Sequence, residues 1–268
     1  MIVFPNCKIN LGLHILRKRD DGFHDLETVF YPLPVRDALE VITSKETAFS
    51  QSGISIPGDA ADNLCMRAYL LLKQDFPELP AVQLHLHKVI PTGAGLGGGS
   101  SDGAFALKLL NTKYNLGLTD ARLEAYAAQL GSDCPFFIQN RVSLAKGRGE
   151  ILEPFTVDLS GYEILLVHPG IHVNTGWAFS QLQPGSPEVP LSEINWKDVK
   201  SWKGRLKNDF ETPVFTKHSE IAAIRDRLYD AGAVYASMSG SGSAVFGIFE
   251  AGQVPDLKWQ EGYAVFRG

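Results

Sequence analysis

The sequence predicts a globular protein that mixes α-helices and β-strands in one or two domains. The chain has 268 residues, and since domains of about 150 residues are typical, the length allows two. Apolar residues make up 44% of the chain and charged residues 21%, which is the usage of a folded domain. Segments with strand patterns and segments with helix patterns follow one another along the chain. After residue 150 the pattern shifts to a strand, a proline-rich loop and a helix, and we predict a domain boundary near residues 150–160.

Strand patterns are clearest before the middle of the chain. Residues 82–89 alternate between apolar and polar side chains, which predicts a half-buried strand. Residues 29–42 contain two short strand-like runs, and Pro32 and Pro34 separate them.

Two helices carry recognisable signals at their ends. Residues 62–74 have helical spacing of apolar side chains, with Asp62 as the expected N-cap. A second helix is predicted over residues 120–130, where Thr119 is placed to cap the first turn and Gly131 to end the last.

Charge and cysteine usage disfavour several classes of protein. Lys plus Arg number 25 against 30 Asp plus Glu, so the net charge is -5, which disfavours binding to nucleic acid. Cys7, Cys65 and Cys134 are far apart and form no CxxC pair, which favours reduced thiols in a cytoplasm over a disulfide framework. The first residues lack a signal-peptide pattern, and no apolar run approaches the roughly 18 residues that span a bilayer, so we expect no membrane partner.

The most distinctive segment is a glycine-rich loop between a strand and a helix. Residues 93–99 contain five glycines, and Ser100 and Ser101 follow them. Glycine allows positive φ angles and leaves backbone N–H groups open, and a helix N-terminus attracts anions, so a phosphate group is the expected ligand. A flexible turn before a serine-capped helix is the alternative. The loop lacks the Lys-Ser/Thr of a Walker A motif and does not fit a Rossmann site.

Two polar segments near the N-terminus are candidates for binding. Lys8 and Asn10 alternate in an extended segment and therefore face the same side. Beside an anion, Lys8 can neutralise developing charge, whereas a solvated strand face is the alternative. Residues 21–24 form a turn with Phe23 and His24, which suits either a surface turn or a platform on which a base stacks.

Asp133 is the candidate general base. It follows the predicted helix at residues 120–130 and precedes Pro135, so the local pattern equally suits an N-cap. A carboxylate close to Lys8 stays ionised and can accept a hydroxyl proton. The later segment Ser239–Ser243 is either a second anion-binding turn or a tight turn before a strand.

Together these segments resemble a known family. The segment Pro91–Ser101 resembles the signature loop of the GHMP kinases, which include galactokinase, homoserine kinase, mevalonate kinase and phosphomevalonate kinase. Other segments fit in the expected order along nearly the whole chain, at residues 5–11, 21–24, 131–135, 145–150, 208–211 and 239–242. The resemblance implies an α+β enzyme of two domains. Residues 1–155 would form an ATP-binding domain like ribosomal protein S5 domain 2, and residues 156–268 a ferredoxin-like C-terminal domain.

The resemblance also implies a reaction and its cofactors. The γ-phosphoryl group of ATP would move to the 2-hydroxyl of a methylerythritol unit linked to cytidine diphosphate, a small-molecule substrate of the non-mevalonate isoprenoid pathway. Mg²⁺ is expected because phosphoryl transfer needs a cation that bridges the phosphates. Ser100 or Ser101 can contact that ion, and the acidic ligand used by some relatives has no match here.

Individual residues take roles from the same resemblance. Asp133 matches the catalytic base and Lys8 its partner, while Asn63 and Lys88 match positions near adenosine. The triphosphate loop would consist of Pro91, Thr92, Gly93, Ala94, Gly95, Leu96, Gly97, Gly98, Gly99, Ser100 and Ser101. The residues that match contacts to cytidine diphosphate are Asn10, His24, Phe23 and Phe179. Phe23 stands where the family commonly has Tyr, and it would enclose cytosine together with Phe179.

Three other functions compete with this interpretation. A kinase of another small alcohol, such as homoserine or mevalonate, would not need the aromatic residues Phe23 and Phe179. A nucleotide-binding module without turnover would have no use for a base such as Asp133. RNA binding, suggested by the likeness to ribosomal protein S5, is disfavoured by the net charge of -5.

Overall fold

A computed structural model describes all residues from Met1 to Gly268. The strands are β1 (Ile2–Val3), β2 (Asn6–Lys18), β3 (His24–Arg36), β4 (Ala38–Thr43), β5 (Ala48–Gly53), β6 (Val82–Lys88), β7 (Ser143–Lys146), β8 (Ile151–Pro154), β9 (Tyr162–His168), β10 (Tyr235–Met238), β11 (Val245–Glu250) and β12 (Ala264–Arg267). The α-helices are α1 (Leu64–Asp75), α2 (Gly98–Tyr114), α3 (Asp120–Leu130), α4 (Cys134–Gln139), α5 (Thr175–Ser180), α6 (Glu211–Lys217) and α7 (Ser219–Asp230). Short 3₁₀ helices lie at Ala60–Asp62, Leu191–Glu193 and Val199–Ser201. None of the helices combines the length and apolar character that a membrane crossing needs.

Contacts between residues divide the chain into two compact units that interleave along the sequence. Unit 1 comprises residues 1–8, 32–92 and 97–141, and unit 2 comprises residues 9–31, 93–96 and 142–268. Each unit is assembled from three segments, because strands β2 and β3 each contribute to both units. This division differs from the single boundary at residue 155 that the sequence predicts.

Unit 1 is built on a four-stranded sheet with the order β1-β4-β6-β5. Strand β6 pairs antiparallel with β4 and parallel with β5. Val82, Leu84 and Leu86 of β6 are buried, and the residues between them are exposed or half-buried, which confirms the predicted half-buried strand. Helix α2 packs against α1, α3 and α4, and its buried alanines and leucines complete this core.

Unit 2 holds most of one four-stranded sheet, β2-β3-β7-β8, and all of another, β10-β11-β9-β12. Every neighbouring pair in the second sheet is antiparallel, and α5, α6 and α7 lie between β9 and β10 in the chain. This connectivity is the split β-α-β arrangement expected of a ferredoxin-like domain. Residues 251–263, between β11 and β12, form no helix, so the second crossover of that fold is irregular here.

The two predicted helix caps have different outcomes. The helix predicted over residues 62–74 is α1, but its N-cap is Asn63, whose Oδ1 accepts a hydrogen bond from the second helical N–H at 2.9 Å. The prediction for Asp62 is wrong because that residue ends the preceding 3₁₀ turn. Helix α3 is capped by Thr119 and ends before Gly131, as predicted.

The expected break at the two prolines is absent. Strand β3 continues through Pro32 and Pro34 as one strand. Strand β3 pairs with β7 only over Thr28–Phe30. Both prolines lie beyond these residues, so the pairing with β7 does not require the N–H group that proline lacks.

Candidate active site

In unit 1, the second half of the glycine-rich loop forms the N-terminus of α2. The helix starts at Gly98, directly after Gly97, which has a φ of +67°. A Cβ at Gly97 would lie 3.0 Å from the Phe137 ring and 3.2 Å from Lys8 Cε, and one at Gly98 would lie 2.8 Å from Ile90. Glycine therefore fits here where larger residues do not. The first N–H groups of the helix have no intrahelical acceptor, so they are available to an anion.

The first half of the loop, residues 93–96, belongs to unit 2 and packs against the segment Ser239–Ser243. Gly95 has a φ of +78°, and a Cβ there would lie 1.9 Å from the Ser239 carbonyl oxygen. Ser239 Oγ donates to the Gly95 carbonyl at 2.8 Å, and the Ala244 N–H donates to the Ala94 carbonyl at 3.1 Å. The segment is thus a tight turn that supports the loop.

Residues 208–211 hold this turn in place. Asn208 Nδ2 donates to the carbonyls of Met238 at 2.8 Å and Gly240 at 2.9 Å. Asp209 Oδ2 accepts a hydrogen bond from the Ile15 N–H at 2.8 Å, which fixes strand β2 to the same segment. From the sequence, residues 208–211 are known only as a segment that resembles the family. The structure shows that they support the turn at Ser239–Ser243.

Lys8 and Asp133, the predicted catalytic pair, lie together in unit 1. Lys8 Nζ is 3.6 Å from Asp133 Oδ2, and Lys8 is buried whereas the Asp133 side chain is 34% exposed. Burial lowers the pKa of Lys8, and the neighbouring Asp133 charge opposes that shift. Asp133 is the N-cap residue of α4, as the capping alternative predicts, but its side chain makes no capping hydrogen bond. A partly exposed carboxylate next to a cation has the surroundings that a proton acceptor needs.

A cavity of about 330 Å³ lies beside the start of α2 in unit 1. Asn63 and Lys88, the residues predicted near adenosine, line it together with Thr92 and Gly99 of the glycine-rich loop. A cavity of this size suits a small organic ligand. The structure therefore brings four of the predicted nucleotide-binding residues to one place, and their contact with a nucleotide stays a prediction.

The Lys88 ammonium is bound to two carboxylates. Its Nζ lies 2.5 Å from Asp37 Oδ2 and 2.7 Å from Asp102 Oδ2, and the Lys88 side chain is completely buried. Asp37 Oδ1 also accepts hydrogen bonds from the N–H groups of Val89 and Ile90, just before the glycine-rich loop. Burial raises the pKa of Asp102 to about 8. Sequence reasoning missed Asp37 and Asp102, since an isolated aspartate, whether between two strands or near the start of a helix, gives no specific signal.

In unit 2, the side chain of Asn10 is buried and held in one orientation. Its Nδ2 donates to Thr28 Oγ1 at 3.0 Å, and its backbone N–H donates to Ser239 Oγ at 3.2 Å. The turn that supports the glycine-rich loop therefore also contacts strand β2 at Asn10.

Two of the residues predicted to bind the base, His24 and Phe179, contact each other in unit 2. His24 stacks on Phe179, with ring centroids 4.7 Å apart and ring planes at 19°. The Phe23 ring is 51% exposed, and the Arg148 guanidinium lies 4.7 Å from its centroid. Burial, followed by the charge of Lys18, lowers the pKa of His24, so its neutral imidazole is the form that packs here.

The protein groups near the glycine-rich loop fit a magnesium ion held mainly by phosphates. No group of three or more His, Cys, Asp or Glu side chains is arranged to hold a metal ion in the structure. Ser101 Oγ is buried without a hydrogen-bond partner, and Asp133 offers a partly exposed carboxylate. Mg²⁺ commonly binds through one or two such oxygens, water and substrate phosphates.

Family comparisons define the class of protein. Residues 63–141 match the model described as the GHMP kinases N terminal domain, and residues 191–258 match the GHMP kinases C terminal model. These matches, with the glycine-rich start of α2 and the Lys8–Asp133 pair, define a GHMP kinase.

Individual relatives narrow the class further. A 4-diphosphocytidyl-2-C-methyl-D-erythritol kinase from Bacteroides fragilis is 53% identical, covering 93% of this chain and 92% of the relative. A protein of the same name from Bacteroides thetaiotaomicron is 50% identical, covering 100% of this chain and 99% of the relative. A crystal structure of 4-(cytidine 5'-diphospho)-2C-methyl-D-erythritol kinase matches with a TM-score of 0.80 at 33% identity, covering 92% of this chain and 90% of that chain. The chain therefore belongs to the 4-diphosphocytidyl-2-C-methyl-D-erythritol kinase family.

Proposed function

We propose that this chain transfers the γ-phosphoryl group of ATP to the 2-hydroxyl of 4-diphosphocytidyl-2-C-methyl-D-erythritol, a step in isoprenoid precursor synthesis. The observation that carries the proposal is the Lys8–Asp133 pair beside the glycine start of α2, where Lys8 Cε would lie 3.2 Å from a Cβ at Gly97. Phosphoryl transfer depends mainly on positioning and charge stabilisation, which this arrangement supplies. The names of the relatives support the choice of acceptor. The cytoplasm is the expected compartment, in keeping with three free cysteines.

Asp133 is the proposed general base. It takes the proton of the 2-hydroxyl as that oxygen attacks the γ-phosphorus. The new oxygen–phosphorus bond forms while the bond from the γ-phosphorus to the β,γ-bridging oxygen breaks, and ADP leaves. Lys8 neutralises charge that develops on the transferred group.

The start of α2 is the proposed triphosphate site. The N–H groups of Gly98, Gly99 and Ser100 precede the first internal hydrogen bond of the helix, which the Ser101 N–H makes to the Gly97 carbonyl at 2.9 Å. They can therefore donate to phosphate oxygens. Adenosine would occupy the cavity lined by Asn63 and Lys88. The Ser101 hydroxyl would contact Mg²⁺, which would supply positive charge against the negative charge of the phosphates.

Phe179, His24 and Phe23 are the proposed site for the cytosine base, which Asn10 would help to orient. We predict that Phe179→Ala raises the KM for the cytidylated substrate about tenfold, because base–aromatic stacking contributes about 1–3 kcal/mol, while the KM for ATP changes little. Steady-state kinetics with each substrate varied in turn measure this. Phe155→Ala is the matched control, since that ring packs edge-on against Trp196 in the same unit. Equal increases in both KM values would count against a cytosine site.

A coupled ADP-release assay with a panel of alcohols tests the function itself. The panel contains the cytidylated methylerythritol, homoserine and mevalonate, each with ATP and Mg²⁺. ADP release should be rapid with the cytidylated alcohol and remain at background with the other two. Release with homoserine or mevalonate, but not with the cytidylated alcohol, would overturn the proposal.

A further inference from the structure

The hairpin turn between β7 and β8 presents an arginine to the proposed base site. Gly147 in this turn has a φ of +67°, and a Cβ there would lie 2.9 Å from the Glu150 carboxylate. Its carbonyl accepts a hydrogen bond from the Leu26 N–H at 2.7 Å, which ties the turn to β3 just beyond His24. The turn is therefore fixed where it places Arg148.

Arg148 lies over Phe23 with most of its hydrogen-bonding capacity unused. Its guanidinium carbon is 4.7 Å from the Phe23 ring centroid, and its side chain is 33% exposed. The Nε atom faces Glu150 Oε1 at 3.5 Å, whereas Nη1 and Nη2 make no hydrogen bond. These terminal groups can still donate to an anionic ligand.

The other arginines of this surface are engaged with carboxylates. Arg17 pairs with Asp25 at 2.7 Å. Arg19 pairs with Asp21 at 2.9 Å and with Asp25 at 3.0 Å. Hydrogen bonds from Arg19 lower the pKa of Asp21, and the charge of Arg148 contributes to the same shift. The positive charge of Arg148 therefore acts on the segment that carries Phe23 and His24.

We infer that Arg148 is a specificity residue that binds the diphosphate of the nucleotide-linked alcohol while it covers one face of Phe23. This inference rests on the proposed function. A guanidinium matches phosphate oxygens with two parallel N–H groups, and such charge-assisted hydrogen bonds are stronger than neutral ones. A base and its 5'-phosphates are separated by one ribose, so a cation next to the Phe23 ring is suitably placed. Small alcohols without a diphosphate would gain nothing from it.

Calorimetric titration of the full chain with CDP and with cytidine tests the inference. Arg148→Met keeps an apolar stem of similar length and removes the charge. We expect it to weaken CDP binding about tenfold and to change cytidine binding less than about twofold, since only CDP carries the anion. Arg148→Lys should recover part of the loss for CDP. The KM for the cytidylated alcohol should rise by a similar factor, with kcat and the KM for ATP unchanged.

Arg227→Met is the matched control because the Arg227 guanidinium lies 4.5 Å over the Trp259 ring, where we predict no substrate contact. It should leave CDP binding unchanged. The inference is overturned if Arg148→Met binds CDP like the wild type, or if it weakens cytidine and CDP equally, which would indicate a role in ring packing alone. If Arg148→Met has the same KM for the cytidylated alcohol as the wild type, only this inference is defeated. A wild type that binds neither probe and releases no ADP defeats the proposed function as well.

Discussion

At the residue scale, the buried ion pairs of Lys88 fix the positions of residues that line the cavity beside α2. Asp37 and Asp102 share one ammonium group, and all three side chains are nearly or completely buried. Asp37 also accepts hydrogen bonds from two backbone N–H groups. Burial raises the pKa of Asp102 to about 8, although Lys88 opposes this. A protonated Asp102 carries no charge and therefore adds no unpaired buried charge to the cluster.

We predict that Asp102→Asn removes part of the pH dependence of stability. The folded-state pKa of Asp102, about 8, lies above its ordinary value of 3.8, so the folded chain binds more protons between these values than the unfolded chain does. The stability from this group is fully present below the ordinary value and is lost as the pH rises towards 8. Urea unfolding at pH 5 and pH 8 should show a loss that is larger in the wild type than in Asp102→Asn by about 1 kcal/mol or more. Equal losses would contradict a protonated Asp102.

At the scale of elements, the glycine-rich loop depends on a turn that is distant in sequence. The Ser239 carbonyl occupies the space where a side chain at Gly95 would lie. Asn208 fixes the turn that contains Ser239 by donating a hydrogen bond to the Gly240 carbonyl. A loop made almost entirely of glycine loses much conformational entropy on folding. Contact with a hydrogen-bonded turn restricts the loop to one conformation, as a phosphate site requires.

We predict that Gly95→Ala lowers the free energy of unfolding by about 3 kcal/mol and raises the KM for ATP, because the new Cβ would overlap the Ser239 carbonyl. Gly117→Ala is the matched control. Gly117 has a similar φ of +71° but nothing within 4 Å of the new Cβ, so only the backbone strain of about 1 kcal/mol remains. Urea unfolding and initial rates at varied ATP measure both effects. Equal destabilisation by the two substitutions would show that backbone strain, not the Ser239 contact, matters at Gly95.

Local signals were sufficient to predict several elements but not the contacts that join them. The Thr119 cap and the alternation of β6 depend on neighbours a few residues away, so they are visible in the sequence. Asp37 and Lys88 are 51 residues apart in the sequence, and Ser239 and Gly95 are 144 residues apart. No local sequence pattern therefore predicts either contact. The Lys8–Asp133 pair was predictable because both residues match family motifs, although 125 positions separate them in the numbering.

At the scale of the whole molecule, the positions of individual charges matter more for binding anionic nucleotides than the net charge does. The chain carries a net charge of -5, yet the proposed reaction requires it to bind two anionic nucleotides. We propose that a few placed groups supply the attraction: the α2 N-terminus and Lys8 in unit 1, and Arg148 in unit 2. Since one fold can host different functions, the side chains of the proposed sites, and not the architecture, would determine the acceptor.

We predict that EDTA leaves the melting temperature of the free chain unchanged, because the ion would be held mainly by nucleotide phosphates. ADP with Mg²⁺ should raise the melting temperature by several degrees, since a ligand at 100 times its Kd stabilises a fold by about 2.7 kcal/mol. ADP with EDTA should raise it less, and turnover should stop in EDTA and return with excess Mg²⁺. Thermal denaturation by circular dichroism provides the first comparison. A large drop in melting temperature with EDTA alone would indicate a metal site within the protein itself.

The most direct test of the central claim is the turnover number of Asp133→Asn with ATP and the cytidylated alcohol. This substitution keeps the shape of the side chain and removes its ability to accept the proton. We predict that kcat falls by about 100-fold or more while ADP binding by calorimetry stays within about threefold of the wild type. Asp158→Asn, at an exposed aspartate that bonds to the Ser160 N–H, should leave kcat unchanged. A near wild-type kcat for Asp133→Asn would contradict the assignment of the Lys8–Asp133 pair as the centre of the reaction.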